Sequence, residues 1–111
     1  MENYSPRIIP KIFMRYYEIM DHTLLSEAEK QLTKLAFNLL NMRIEKNISQ
    51  DEVIAKSGLS KSVVSKMETF NSIPSSITLA KYAKALDMEL ILVDSELFNK
   101  WKERSKHNNY L

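Results

Sequence analysis

The sequence predicts an all-α fold, a small bundle built around two short helices, with one further helix ahead of it and a short apolar strand behind. Three observations predict it. One glycine and three prolines in 111 residues leave little material for tight turns and favour helices. Serines at 26, 49, 60 and 75 or 76 each stand just ahead of a stretch with apolar residues three and four apart. That is the place where a hydroxyl caps a helix. Finally, residues 49 to 68 hold two such stretches on either side of Gly58, the chain's only glycine.

The totals bound what the chain can be. Its length gives room for one domain and its tails. Hydrophobic content of 44% with 27% charge is ordinary for a globular protein. The absence of cysteine excludes disulfides and thiolate metal sites and fits an intracellular protein. No apolar run reaches the length of a membrane span and the N-terminus lacks a signal-peptide pattern, so export and membrane insertion are not expected. A cytoplasmic location follows as the expectation.

Residues 1–26 form an N-terminal extension. Its first six residues are polar and expected to be loose. Ile9, Ile12, Phe13, Tyr16, Tyr17 and Met20 then recur at spacings of three and four, which predicts an amphipathic helix over 11–21 with Pro10 near its first turn. Residues 27–87 form the main domain. Ser26 and Glu29 make a capping box that opens a long helix to about Lys46, where Asn47 can end it. That helix carries two apolar stripes. Leu32, Leu35, Leu39 and Met42 suit a core, while Phe37, Leu40 and Ile44 are rotated away and want a cover. Either the 8–20 segment or another protein can supply one.

The two short helices follow. Ser49 caps the first, and Glu52 stands where it would complete a second capping box. Val53 and Ile54 face inward, and Gly58 supplies a left-handed residue at the helix end. Ser60 caps the second helix, whose apolar residues Val64 and Met67 are three apart. Its other positions, Lys61, Ser62, Ser65 and Lys66, are long cations and small hydroxyls with no acid among them. Two helices joined by a glycine turn are a helix-turn-helix, and this composition suits a helix lying against phosphates and base edges. The charge distribution agrees. Arg43 to Lys84 contains seven basic and four acidic residues, so the positive excess lies where the motif does.

After a loop from Thr69, a helix runs to Leu86 with Leu79, Tyr82, Ala83 and Leu86 toward the core. Residues 88–94 hold an apolar β-branched run that reads as a strand, or as a further turn of core helix. A strand with no second strand in the chain would leave its backbone unpaired. Its most economical partner is the same segment of a second copy, with Leu90, Ile91, Leu92 and Val93 at the dimer contact. Residues 95–111 suggest a short terminal helix and a polar tail, with Trp101 covering the core.

The stretch from Leu35 to Leu90 resembles the Xre family, the Cro/CI-type helix-turn-helix of phage repressors and bacterial regulators. The resemblance rests on Ser49-Gln50, Ala55, Gly58-Leu59-Ser60, Val64-Ser65, Met67-Glu68, Pro74-Ser75 and Ala83-Lys84-Ala85-Leu86. It implies a lambda-repressor-like bundle and binding to operator DNA, in a bacterial cytoplasm and at its nucleoid. It also implies that Gln50 holds a phosphate and that Lys61, Ser62 and Lys66 read bases, with Ser65 near the groove. Val63 would meet a thymine methyl or the core, and Asn71 would sit in the DNA-facing loop. Arg43 and Glu68 match an internal ion pair of that family. Two departures stand out. Thr69-Phe70 replaces the usual basic residue and glycine, and Asp87 stands where glycine often follows the fourth helix.

The sequel from Ala85 to Val93 is similar to HigA-like and HipB-like antitoxins, in which an apolar strand follows the domain. That similarity implies a homodimeric repressor that binds a toxin protein, with Ile12, Phe13, Tyr16, Tyr17, Met20, Phe37 and Leu40 as the toxin surface. A mobile-element repressor without a toxin, and an interaction module that no longer binds DNA, are the alternatives. No metal or cofactor is expected, since His22 and His107 are isolated. No catalytic constellation is present, so an enzyme is not expected.

Overall fold

The computed structural model describes the backbone of residues 10–22 and 25–108 and the side chains of residues 11–21 and 25–104. The expectations for residues 1 to 9, His107 and the end of the tail lie outside the described side chains. Six helices follow in order: α1 (Pro10–His22), α2 (Glu27–Glu45), α3 (Gln50–Ser57), α4 (Lys61–Glu68), α5 (Ser76–Ala85) and α6 (Ser95–Asn108). The fold among the described residues is all-α.

Serine hydroxyls start four of these helices. Ser26 accepts from the Glu29 amide at 3.2 Å while its own amide donates to the Glu29 carboxylate at 2.9 Å, a closed capping box. Ser49, Ser60 and Ser75 accept from the amides of Glu52, Val63 and Thr78. The second capping box is only half formed. The Glu52 carboxylate turns instead to Lys56 one turn on, at 3.5 Å, a pairing favoured by i,i+4 spacing.

The helix ends show what a single glycine costs this chain. Gly58 takes φ 77° to end α3, with open space around its missing side chain, so backbone conformation rather than room requires it. Three further helices end with a left-handed residue that is not glycine: Asn47 after α2, Phe70 after α4 and Asp87 after α5, all with φ near 58°. Each end closes by the same pair of backbone bonds. After α5, for example, the Met88 amide donates to Ala83 and the Asp87 amide to Lys84, the two bonds of a Schellman motif. Asn and Asp tolerate this region through their short polar side chains. Phenylalanine does not, and its presence needs a compensating gain.

That gain is in the core. Val53, Val64, Leu79 and Tyr82 are fully buried, with Ala36, Leu39, Met67, Ala83 and Leu86 around them. The helices α3 and α4 pack against each other, α3 also against α5, and α2 against α4 and α5. Phe70 is buried beside this cluster, and its ring lies 5.4 Å from Tyr16 of α1 and 6.1 Å from Phe37 of α2. Tyr16 in turn stacks on Phe37. Phe37, at the head of the second stripe of α2, is therefore covered by α1 of the same chain.

Three further expectations fail. The segment 88–94 is not a strand; it is an irregular run linking α5 to α6. The described residues offer it no second strand to pair with; Met88 packs against the core, but Leu90 to Val93 are exposed. Leu35 was expected on the core stripe but is exposed, because Ala36 and Leu39 occupy that face. Trp101 does not cover the core. It is 45% exposed and packs beside Phe98 on α6, ring centroids 5.9 Å apart.

Candidate nucleic-acid interface

The interface is built from one short helix fixed by its buried side. Val64 and Met67 anchor α4 in the core, and Glu68 is buried at its last position. The opposite face carries Lys61, Ser62, Val63 and Lys66, all exposed, with Ser65 half-buried beside them. Acids are absent from the first turn of α4. Its exposed surface is cationic, small and free of carboxylates that would repel phosphates.

Glu68 organises the floor beneath this helix. Its carboxylate accepts from Arg43 Nε at 2.7 Å and Nη2 at 3.0 Å, from Gln50 Nε2 at 3.1 Å and from the Tyr82 hydroxyl at 2.5 Å. Arg43 also donates to the Ile48 carbonyl at 2.7 Å. One carboxylate thereby ties together α2, α3, α4 and α5. Burial works against the Arg43 charge, but the hydrogen bonds and charge of Glu68 outweigh it, holding the guanidinium above its ordinary range. Burial, followed by the charge of Glu68, pushes the Tyr82 hydroxyl well above the usual tyrosine range.

The residues singled out from sequence fall into two groups. Lys61, Ser62, Val63, Ser65 and Lys66 share α4, and Asn71 follows it, its amide bonded to the Lys66 carbonyl at 2.9 Å. Gln50 opens α3 and is half-buried, its Nε2 donating one hydrogen bond to Glu68. It is placed as a link between the start of α3 and the carboxylate floor. The residues expected to hold a protein partner lie mostly inside the chain. Tyr16 and Leu40 are buried, and Ile12, Phe13, Met20 and Phe37 are half-buried, while Tyr17 is 47% exposed.

Arg15 was not singled out. Its Nη2 donates to Asn71 Oδ1 at 3.0 Å, across 56 positions of sequence. Sequence patterning could not find this pair, because it depends on how α1 docks. Lys46 was likewise unexpected; its ammonium caps the Leu86 carbonyl at 2.7 Å, at the negative end of α5. Among the described residues no three His, Cys, Asp or Glu side chains converge as a metal site would need. No helix among them is long and apolar enough to cross a membrane.

Residues 39–92 match the family model described as helix-turn-helix, of the Xre-like kind that these residues resemble. The match covers the end of α2, all of α3, α4 and α5, and the run that follows, a little under half of the chain. The first helix and α6 lie outside it. No curated protein and no solved structure matches the chain.

Proposed function

We infer that this chain is a sequence-specific transcriptional repressor that binds duplex DNA as a homodimer, and that it is the antitoxin of a type II toxin–antitoxin pair, repressing its own operon. The observation that supports DNA binding most strongly is the two-sided character of α4. Val64 and Met67 fix it in the core, and the face left outside is Lys61, Ser62, Val63 and Lys66. Lysine cations attract phosphates and donate to guanine edges, while serines allow close approach and Val63 can meet a thymine methyl.

The homodimer is supported by the run from Leu90 to Val93, apolar and exposed between α5 and α6. Paired with the same run of a second copy about a two-fold axis, it would satisfy backbone groups that one chain leaves open. Two copies of α4 would then read half-sites about 34 Å apart.

A toxin surface is supported by apolar residues left outside the core: Met14 and Tyr17 on α1, and Leu97, Phe98 and Trp101 on α6. The second reading is a mobile-element repressor without a toxin. It is favoured by the cover that α1 gives to Phe37, which removes that ring from an open partner surface.

The test is retention of DNA from upstream of the chain's own reading frame in a gel shift, followed by purification of the chain from its native operon. A retarded band that co-purifies with the product of the adjacent frame supports the antitoxin. A retarded band with no such product leaves the repressor alone. No retention on any duplex, with stable capture of a protein, would identify an interaction module instead.

A further inference from the structure

We propose that Arg15, on the helix ahead of the matched domain, is a phosphate-binding residue that completes the DNA interface; the proposal rests on the DNA reading of α4. The loop after α4 has no cation of its own. Lys66 is the last before it and Lys81 the next after it. With its first turn on base edges, a helix of eight residues is about 12 Å long. It therefore ends near the wall of a groove about 12 Å wide, and the loop that follows faces phosphates.

The docking of α1 supplies that loop with a guanidinium. Tyr16 stacks on Phe37 and meets Phe70, which pins α1 beside the loop. The neighbouring residue Arg15 then reaches Asn71 at 3.0 Å, and Asn71 is bonded through its backbone to Lys66 and through its Nδ2 to Thr69 Oγ1. Arg15 is exposed. Among the described residues one of its five donors is engaged, leaving a planar fork free for a phosphate. Asn71 aims that fork, and Lys66 extends the positive surface along the helix.

This arrangement also accounts for Phe70. A glycine there would end α4 without strain but would offer no ring to hold α1. The strained phenylalanine keeps the helix that carries the cation in place.

The experiment is a salt titration of binding to a duplex selected by the wild-type chain from a random pool, with Arg15→Gln and Arg15→Lys. Arg15→Gln should weaken binding on the order of fivefold near physiological salt and reduce the slope of log K against log salt by about 0.9. Arg15→Lys should keep the wild-type slope, because it keeps the charge. Equal slopes for wild type and Arg15→Gln would overturn the assignment, including when Arg15→Gln lowers the melting temperature, since that marks a purely structural contact. A wild-type chain that selects no duplex would sink the DNA reading itself, a result distinct from an unchanged slope.

Discussion

The Tyr16 ring lies almost parallel to Phe37, 11° from coplanar with centroids 3.9 Å apart, and so joins the first helix to the second as part of one core. Phe13 and Tyr17 flank the pair at 5.7 and 5.2 Å. Without this contact α1 would be a short amphipathic helix of 13 residues, marginal on its own in water. Tyr16→Ala should therefore cost about 3 kcal/mol, most of it through release of α1. Hydrogen exchange should show α1 amides losing protection while those of α3 and α4 keep theirs. Uniform loss across all helices would show that α1 is not a separable unit.

Phe70 and Asp87 occupy the same left-handed position after their helices, yet glycine should act on them in opposite directions. Asp87 is exposed, so Asp87→Gly removes a backbone penalty and should raise stability by about 0.5 kcal/mol. Phe70→Gly removes a larger backbone penalty but also a buried ring, and should lower stability by about 2 kcal/mol. Chemical denaturation of the two variants checks this. A stabilised Phe70→Gly would mean that the ring contributes little to holding α1.

How much of this was legible in the sequence depends on the range over which each feature is decided. The caps at Ser26, Ser49, Ser60 and Ser75 and the turn at Gly58 are local, set within four residues, and they stand in the sequence as plainly as in the fold. The outward face of α4 follows from Val64 and Met67 alone. The cover of Phe37 does not, because either of two surfaces could meet it and only packing decides. Arg15 and Asn71 are too far apart in the chain for any pattern to join them. The run at 88–93 has a strand's composition without a strand's partner, and composition does not create one. Trp101 reads as core by residue type, but α6 follows a linker that carries it off the bundle.

Alkaline pH should destabilise the domain through Tyr82. Its folded-state pKa is raised above the ordinary value of 10.0 by burial and by Glu68, so the folded protein holds this proton more tightly than the unfolded chain. The stability this gives is complete below about pH 10 and is lost progressively as pH rises above it. Burial raises Tyr16 as well, with Tyr17 adding to it, so both tyrosines act in the same direction. Tyr82→Phe should lose about 1 kcal/mol at neutral pH, since Glu68 keeps Arg43 and Gln50 as donors. It should also flatten the alkaline limb of a stability–pH curve. An unchanged limb would mean that Tyr82 does not control it.

Leu92 is fully exposed, so Leu92→Asp should leave the monomer's melting unchanged. In sedimentation it should shift a dimer toward monomer if residues 90 to 93 hold the two copies together. A dimer unaffected by the charge would place the contact elsewhere, with the exposed face of α6 around Phe98 and Trp101 as the next surface to test.

The most direct measurement is the salt dependence of DNA binding by the Lys61→Ala/Lys66→Ala double variant. Both lysines are exposed on α4 and neither contributes to the core, so the fold should survive and only the interface should change. Loss of two phosphate contacts should reduce the slope of log K against log salt by about 1.8, with a clear fall in affinity for the selected duplex. A folded double variant with wild-type affinity and slope would contradict α4 as the helix that meets DNA.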